Sequence, residues 1–143
     1  MSAATPQMRK LAEHLVAHAP VGKKSAGAPA PFHAGETLSP YLAEMLGRAG
    51  FSALRSRALV LAQEEVAWLD VLRVNADGTL EGLDGIAAQV NPRQMHEGEI
   101  ALLAQLLGLL VAFIGENLTL SLMREVWPGL VPKNLKFVSG DTA

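Results

Sequence analysis

His96 and Glu97 stand side by side in MHEGEIALL, an imidazole with a carboxylate next to it. On a helix paired with a second copy of itself, such a couple could accept a phosphoryl group, the glutamate serving as base. Asn91-Pro92 breaks the helical pattern just before it, so the pair reads more simply as part of a helix start. His14 and His18 are spaced i, i+4, which lets both imidazoles face one metal ion with Glu13 nearby. Two ligands make an incomplete site, and His33 lies apart in a proline-rich stretch; no metal is expected. RVNADGTLEGLD has the outline of a calcium loop, with Asn75, Asp77, Gly78 and Asp84 at ligand-like spacing. Its first position is Arg73, whose cation repels the metal, and an ordinary Asp-Gly turn is the expectation.

The chain carries no Ser–His–Asp arrangement, phosphate loop or glycine fingerprint. It also lacks cysteine, which removes thiol nucleophiles, zinc-thiolate sites and disulfides together. A non-enzymatic protein without a cofactor is therefore expected.

Two constellations suit binding better than catalysis. Glu116, Asn117, Thr119 and Ser121 interrupt an otherwise apolar run. With Trp68, Phe113 and Trp127 they could line a small-ligand pocket between helices, Arg55, Arg57 or Arg124 pairing the carboxylate. YLAEMLGRAGFSALRSRAL has the rhythm of a helix-turn-helix, with Arg55 and Arg57 on its second helix. The chain carries a net charge of −2, which speaks against a dedicated nucleic-acid binder.

That charge is uneven. Residues 1–35 hold Arg9, Lys10, Lys23 and Lys24 against Glu13, a net of +3, leaving −5 for the rest. The arm is not a signal peptide by pattern: its basic residues come late, and Glu13 with two histidines interrupts LAEHLVAHA. A cytoplasmic location is expected.

Half the residues are hydrophobic and only 5% aromatic, a composition rich in the helix formers Ala and Leu. The expected fold is all-α, a bundle of about four helices with a long C-terminal helix and room for one short β-hairpin at 71–83. Three regions are expected: a tethered amphipathic helix at 1–20, a flexible Ala/Pro/Gly linker at 21–38, and a helical domain at 39–143. Thr5 and Pro6 form a cap and first turn, and Met8, Leu11 and Leu15 share one face. Ser39-Pro40 repeats that start for the body, and Gly47 or Gly50 ends the short helix that follows. Leu54, Ala58, Leu61, Trp68 (or Leu69) and Leu72 then keep helical spacing to about Arg73, with Arg55 off the stripe. LDGIAAQV adds a helical turn or two. The last helix is expected from near His96–Glu99 to Trp127, with Gly108 and Gly115 as places to bend. Leu135, Phe137 and Val138 could then cover part of the core.

The long helix poses the functional question. Its apolar run from Ile100 to Gly115 is short for a membrane span, is interrupted by Gln105 and lacks basic flanks. Ala104, Gly108 and Ala112 step by four, and Ala101, Gly108 and Gly115 by seven, drawing a stripe of small side chains that admits a close helix. A helix apolar nearly all round must be covered nearly all round. A homodimer is expected, with Ala104, Leu107, Gly108, Ala112, Phe113 and Gly115 at the contact. The function this implies is that of a helical interaction or regulatory protein that self-associates and binds a protein partner. The tethered basic helix is its candidate partner-binding or autoinhibitory element. A small-ligand sensor and a DNA-associated regulator are the alternatives.

Overall fold

The computed structural model describes residues 4–18, 33–82 and 89–131. Among these residues it is an all-α bundle of four helices with one two-stranded antiparallel sheet. The helices are α1 (Pro6–His18), α2 (His33–Gln63), α3 (Pro92–Ile114) and α4 (Glu116–Val126). A 3-10 turn (Ala67–Val71) and the strands β1 (Arg73–Val74) and β2 (Leu80–Glu81) lie between α2 and α3.

α1 starts as its sequence requires: the Met8 N–H donates to Thr5 Oγ1 at 3.3 Å. Met8, Leu11, Ala12, Leu15 and Val16 are all buried, and this face docks mainly on α3. Arg9 pairs with Glu65, which also accepts from the buried amide of Gln105, so one carboxylate joins α1, the segment after α2, and α3.

α2 begins at His33, inside the stretch expected to be linker, and Pro40 lies within the helix rather than at its first turn. Two contacts account for this. Ala34, Leu38 and Leu42 repeat every four residues and are fully buried. The Ala34 N–H donates to the Glu99 carboxylate of α3 at 3.4 Å, so a residue far along the chain serves the helix start. Pro40 faces outward, where its missing N–H leaves a carbonyl that water reaches.

α2 breaks at Gly47 (φ 79°, ψ 161°), and Gly115 (φ 93°, ψ 158°) separates α3 from α4. Both lie in a region of backbone space open essentially to glycine alone. The expected bend at Gly115 is therefore a full break, and the long helix to Trp127 is two helices. Gly108 lies inside unbroken helix. α3 also starts earlier than expected. Asn91 caps it through a reciprocal pair, Gln94 N–H to Asn91 Oδ1 at 2.8 Å and Asn91 N–H to Gln94 Oε1 at 2.9 Å. Pro92, read above as a breaker, is its first residue.

The second arm of α2 ends at Gln63, ten residues short of the expectation. Glu64 and Glu65 follow, a charge the negative helix end disfavours, and Val66 is extended. The 3-10 turn then buries Leu69 and lays the Trp68 ring over Gly98, where an added Cβ would meet Cζ2 at 2.4 Å. The hairpin pairs Arg73 with Glu81 and Val74 with Leu80. In its loop Asp77 accepts from the Thr79 N–H at 3.0 Å and the Thr79 hydroxyl at 2.7 Å. These bonds, the backbone one first, hold the Asp77 carboxyl below its ordinary value of 3.8. Because the folded form is the more acidic, the loop gains stability above that ordinary value and loses it as pH falls through the lowered one. A carboxyl carbon-13 titration is expected to give Asp77 a midpoint below 3.8; a midpoint at or above it would mean the Thr79 bonds do not persist in solution.

The helical turns expected in LDGIAAQV (83–90) fall outside the described residues except at 89 and 90, which form a turn, and the covering role of Leu135, Phe137 and Val138 lies outside them altogether.

Candidate functional site

α3 is covered unevenly. From Gly98 to Gly108 every residue but Ile100 is buried, beneath α1, α2 and α4. Beyond that point cover is one-sided: Leu110 is still fully buried, Leu109, Val111 and Ile114 are half-buried, and Ala112, Phe113 and Gly115 are exposed. The proposed contact residues are thus divided. Ala104, Leu107 and Gly108 belong to the protein's own core, while Ala112, Phe113 and Gly115 remain on the surface. Length and composition alone do not separate α3 from a membrane span, since a buried core helix meets the same measure. The 23 residues of α3 form the one described helix long and apolar enough to cross, with 61% of its most apolar window buried inside the protein.

Where α3 is bare it runs beside the second arm of α2, and a groove of about 470 Å³ opens between them. Gly50, Ala53, Leu54 and Arg57 of that arm line one side at i, i+3, i+4 and i+7, with Leu46 joining them from before the break at Gly47; Leu109, Ala112 and Phe113 line the other at i, i+3 and i+4. Gly50, Ala53 and Ala112 keep the trough open because none has a side chain beyond Cβ. Phe113 stands 68% exposed at its wall. Among the described residues Arg57 is the only charged one in the lining, and it is exposed with no hydrogen-bond or ion-pair partner among them.

Arg55, two residues earlier, has the opposite fate. It was expected off the buried stripe, yet it is 2% exposed. Its guanidinium donates to Gly78 O at 2.9 Å, Ser39 Oγ at 3.4 Å and Glu36 Oε2 at 2.7 Å, and sits 5.5 Å from the Phe51 ring centroid. Ser52 Oγ donates to Asn75 O at 2.7 Å. Together these two side chains clamp the hairpin loop to α2 and leave Arg57 facing outward.

The suggested polar pocket does not assemble. Trp68 donates to Gln94 O at 3.2 Å and packs on Gly98, at the start of α3. Phe113 lies at its other end, with Glu116 just past the break that closes it, and the 15 residues from Gly98 to Phe113 span about 22 Å of helix. Trp127 is buried in the core, Asn117 and Ser121 are exposed, and Thr119 donates to Gly115 O at 2.8 Å. His96 and Glu97 are exposed, as are His14 and His18, whose rings lie 4.7 Å apart. Among the described residues no group of three His, Asp or Glu could hold a metal ion.

Sequence reasoning found Ala112 and Phe113 but missed the α2 wall. The signal was present: Gly50, Ala53 and Arg57 repeat on the side of α2 away from Phe51, Ala58 and Ala62. Small residues on a solvent face carry no periodicity contrast, so the pattern did not stand out. The chain matches no protein-family model, no curated protein and no solved structure.

Proposed function

We propose that this protein is a non-enzymatic helical interaction module whose working surface is the bare end of α3 and the groove beside it. One observation carries the reading. The chain buries α3 from Gly98 to Gly108 apart from Ile100, and beyond that keeps Leu110 buried while leaving Phe113 and the apolar trough on the other side uncovered. A large aromatic ring beside a trough of small residues is self-complementary, as a two-fold contact between copies requires. Self-association through Ala112, Phe113 and Gly115 is the form of the reading we favour, in a cytoplasmic protein that also meets a protein partner. The DNA-associated alternative has less to rest on, because Arg55 is committed inside the fold.

Molar mass by light scattering behind a sizing column, over a range of concentrations, tests this. The full chain is expected at twice its 15.2 kDa, and Phe113→Ser at the single-chain mass. Its unfolding free energy should change by no more than about 0.5 kcal/mol, since the ring is exposed. A single-chain mass for the unsubstituted protein at every concentration overturns the self-association.

A further inference from the structure

We propose that the groove between α2 and α3 binds a free single-chain amphiphile with a carboxylate head, the head on Arg57 and the tail along the trough. The inference rests on the groove as the working surface and names a ligand class for it. Three features point the same way. The volume of about 470 Å³ lies within the range of small-molecule sites, roughly 300–1,000 Å³. Every described lining residue except Arg57 is apolar or glycine, so these residues offer a tail apolar contacts and no competing charge. Arg57 brings a lone cation without a partner among the described residues, whereas Arg55, about half a turn round the same helix, is bonded to Gly78 O, Ser39 and Glu36.

Charge complementarity selects the head. A guanidinium holds a carboxylate through two parallel N–H donors, which a neutral or cationic head cannot match. The open trough also suits a thin flexible chain, because Gly50, Ala53 and Ala112 leave its length unobstructed. The ligand shares Ala112 and Phe113 with the self-association surface, so a seated acid occupies ground that a second copy would need.

Calorimetric titration of the full chain with dodecanoate below its micelle concentration is the test, with dodecyltrimethylammonium as the same tail of opposite charge. Dodecanoate is expected to saturate at one per chain and to bind at least tenfold more tightly than the cation. Arg57→Gln, at an exposed position that leaves folding intact, should lose about tenfold for dodecanoate, or 1.4 kcal/mol, and nothing for the cation. Ala53→Leu, which fills the trough from an exposed helical position, should weaken both probes. Absence of saturation, equal affinity for the two probes, or an Arg57→Gln variant that binds dodecanoate unchanged overturns the proposal. So does sedimentation with anionic phospholipid vesicles by a chain that ignores free dodecanoate, since the source would then be a bilayer. Mass and occupancy are read separately: a monomer that binds dodecanoate removes the dimer and keeps the ligand, and a dimer that ignores it does the reverse.

Discussion

Arg55→Ala is expected to cost about 3 kcal/mol of folding free energy, read from urea unfolding. The guanidinium is buried, and its bond to Gly78 O joins α2 to the hairpin loop across 23 residues of chain. A hydrogen bond from a charged donor contributes about 1.5–3 kcal/mol, and its loss leaves a buried carbonyl without that donor. The ion pair with Glu36 adds little, because that carboxylate is 46% exposed and water screens it. Packing of the stem and the cation over Phe51 supply the remainder, of order 0.5–1 kcal/mol. Arg55→Lys should recover less than half, since one ammonium cannot reach Gly78 and Glu36 in a single geometry. Glu36→Gln should cost under about 1 kcal/mol. If Arg55→Ala costs less than Glu36→Gln, the hairpin loop is held by something other than this guanidinium.

Gly108→Leu is expected to destabilise by about 2–3 kcal/mol while leaving the molar mass as it was. Gly108 is buried within one chain, flanked on α3 by Ala104 and Leu107, both fully buried. Four added carbon atoms must displace packed neighbours, and the gain of about 0.8 kcal/mol in helix propensity offsets only part of that. The contrast with Phe113→Ser is diagnostic. One substitution lowers stability at constant mass and the other lowers mass at constant stability, because they lie on opposite sides of the point where cover becomes one-sided. If Gly108→Leu instead separates a dimer without loss of stability, the small-residue stripe is an interface and its burial in the single chain is not the solution state.

Much of the fold was legible because its signals are local. Thr5-Pro6 starts α1, and the spacing of Met8, Leu11 and Leu15 identifies the face that is buried. Asp77-Gly78 marks the hairpin turn, and Gly115 marks the break before α4. Each depends on one to four neighbouring residues, and backbone geometry makes the choice within that window.

The misreadings have a common origin in contacts between distant residues. Ser39-Pro40 reads as a helix start, yet α2 begins six residues earlier because Glu99 and the buried Ala34, Leu38 and Leu42 support it there. Leu61, Leu69 and Leu72 keep apolar spacing across the end of α2, but Trp68 finds its place on Gly98 and the chain turns. Arg55 and Arg57 look equivalent on paper. Only the hairpin folding back onto α2 buries the first and leaves the second beside the groove.

By itself, then, the sequence determined an all-α chain of about four helices, the tight turn and the one helix that needs cover nearly all round, but not where the helices divide. Those follow from composition, caps and apolar period, which act over a turn or two of chain. Tertiary structure alone decided how far that cover extends, by packing α1, α2 and α4 so that α3 is buried from Gly98 to Gly108 apart from Ile100, and beyond Gly108 on the Leu110 side alone. It thereby turned half of a uniform apolar stripe into core and half into surface, because burial depends on which other elements arrive and not on the residue that is buried.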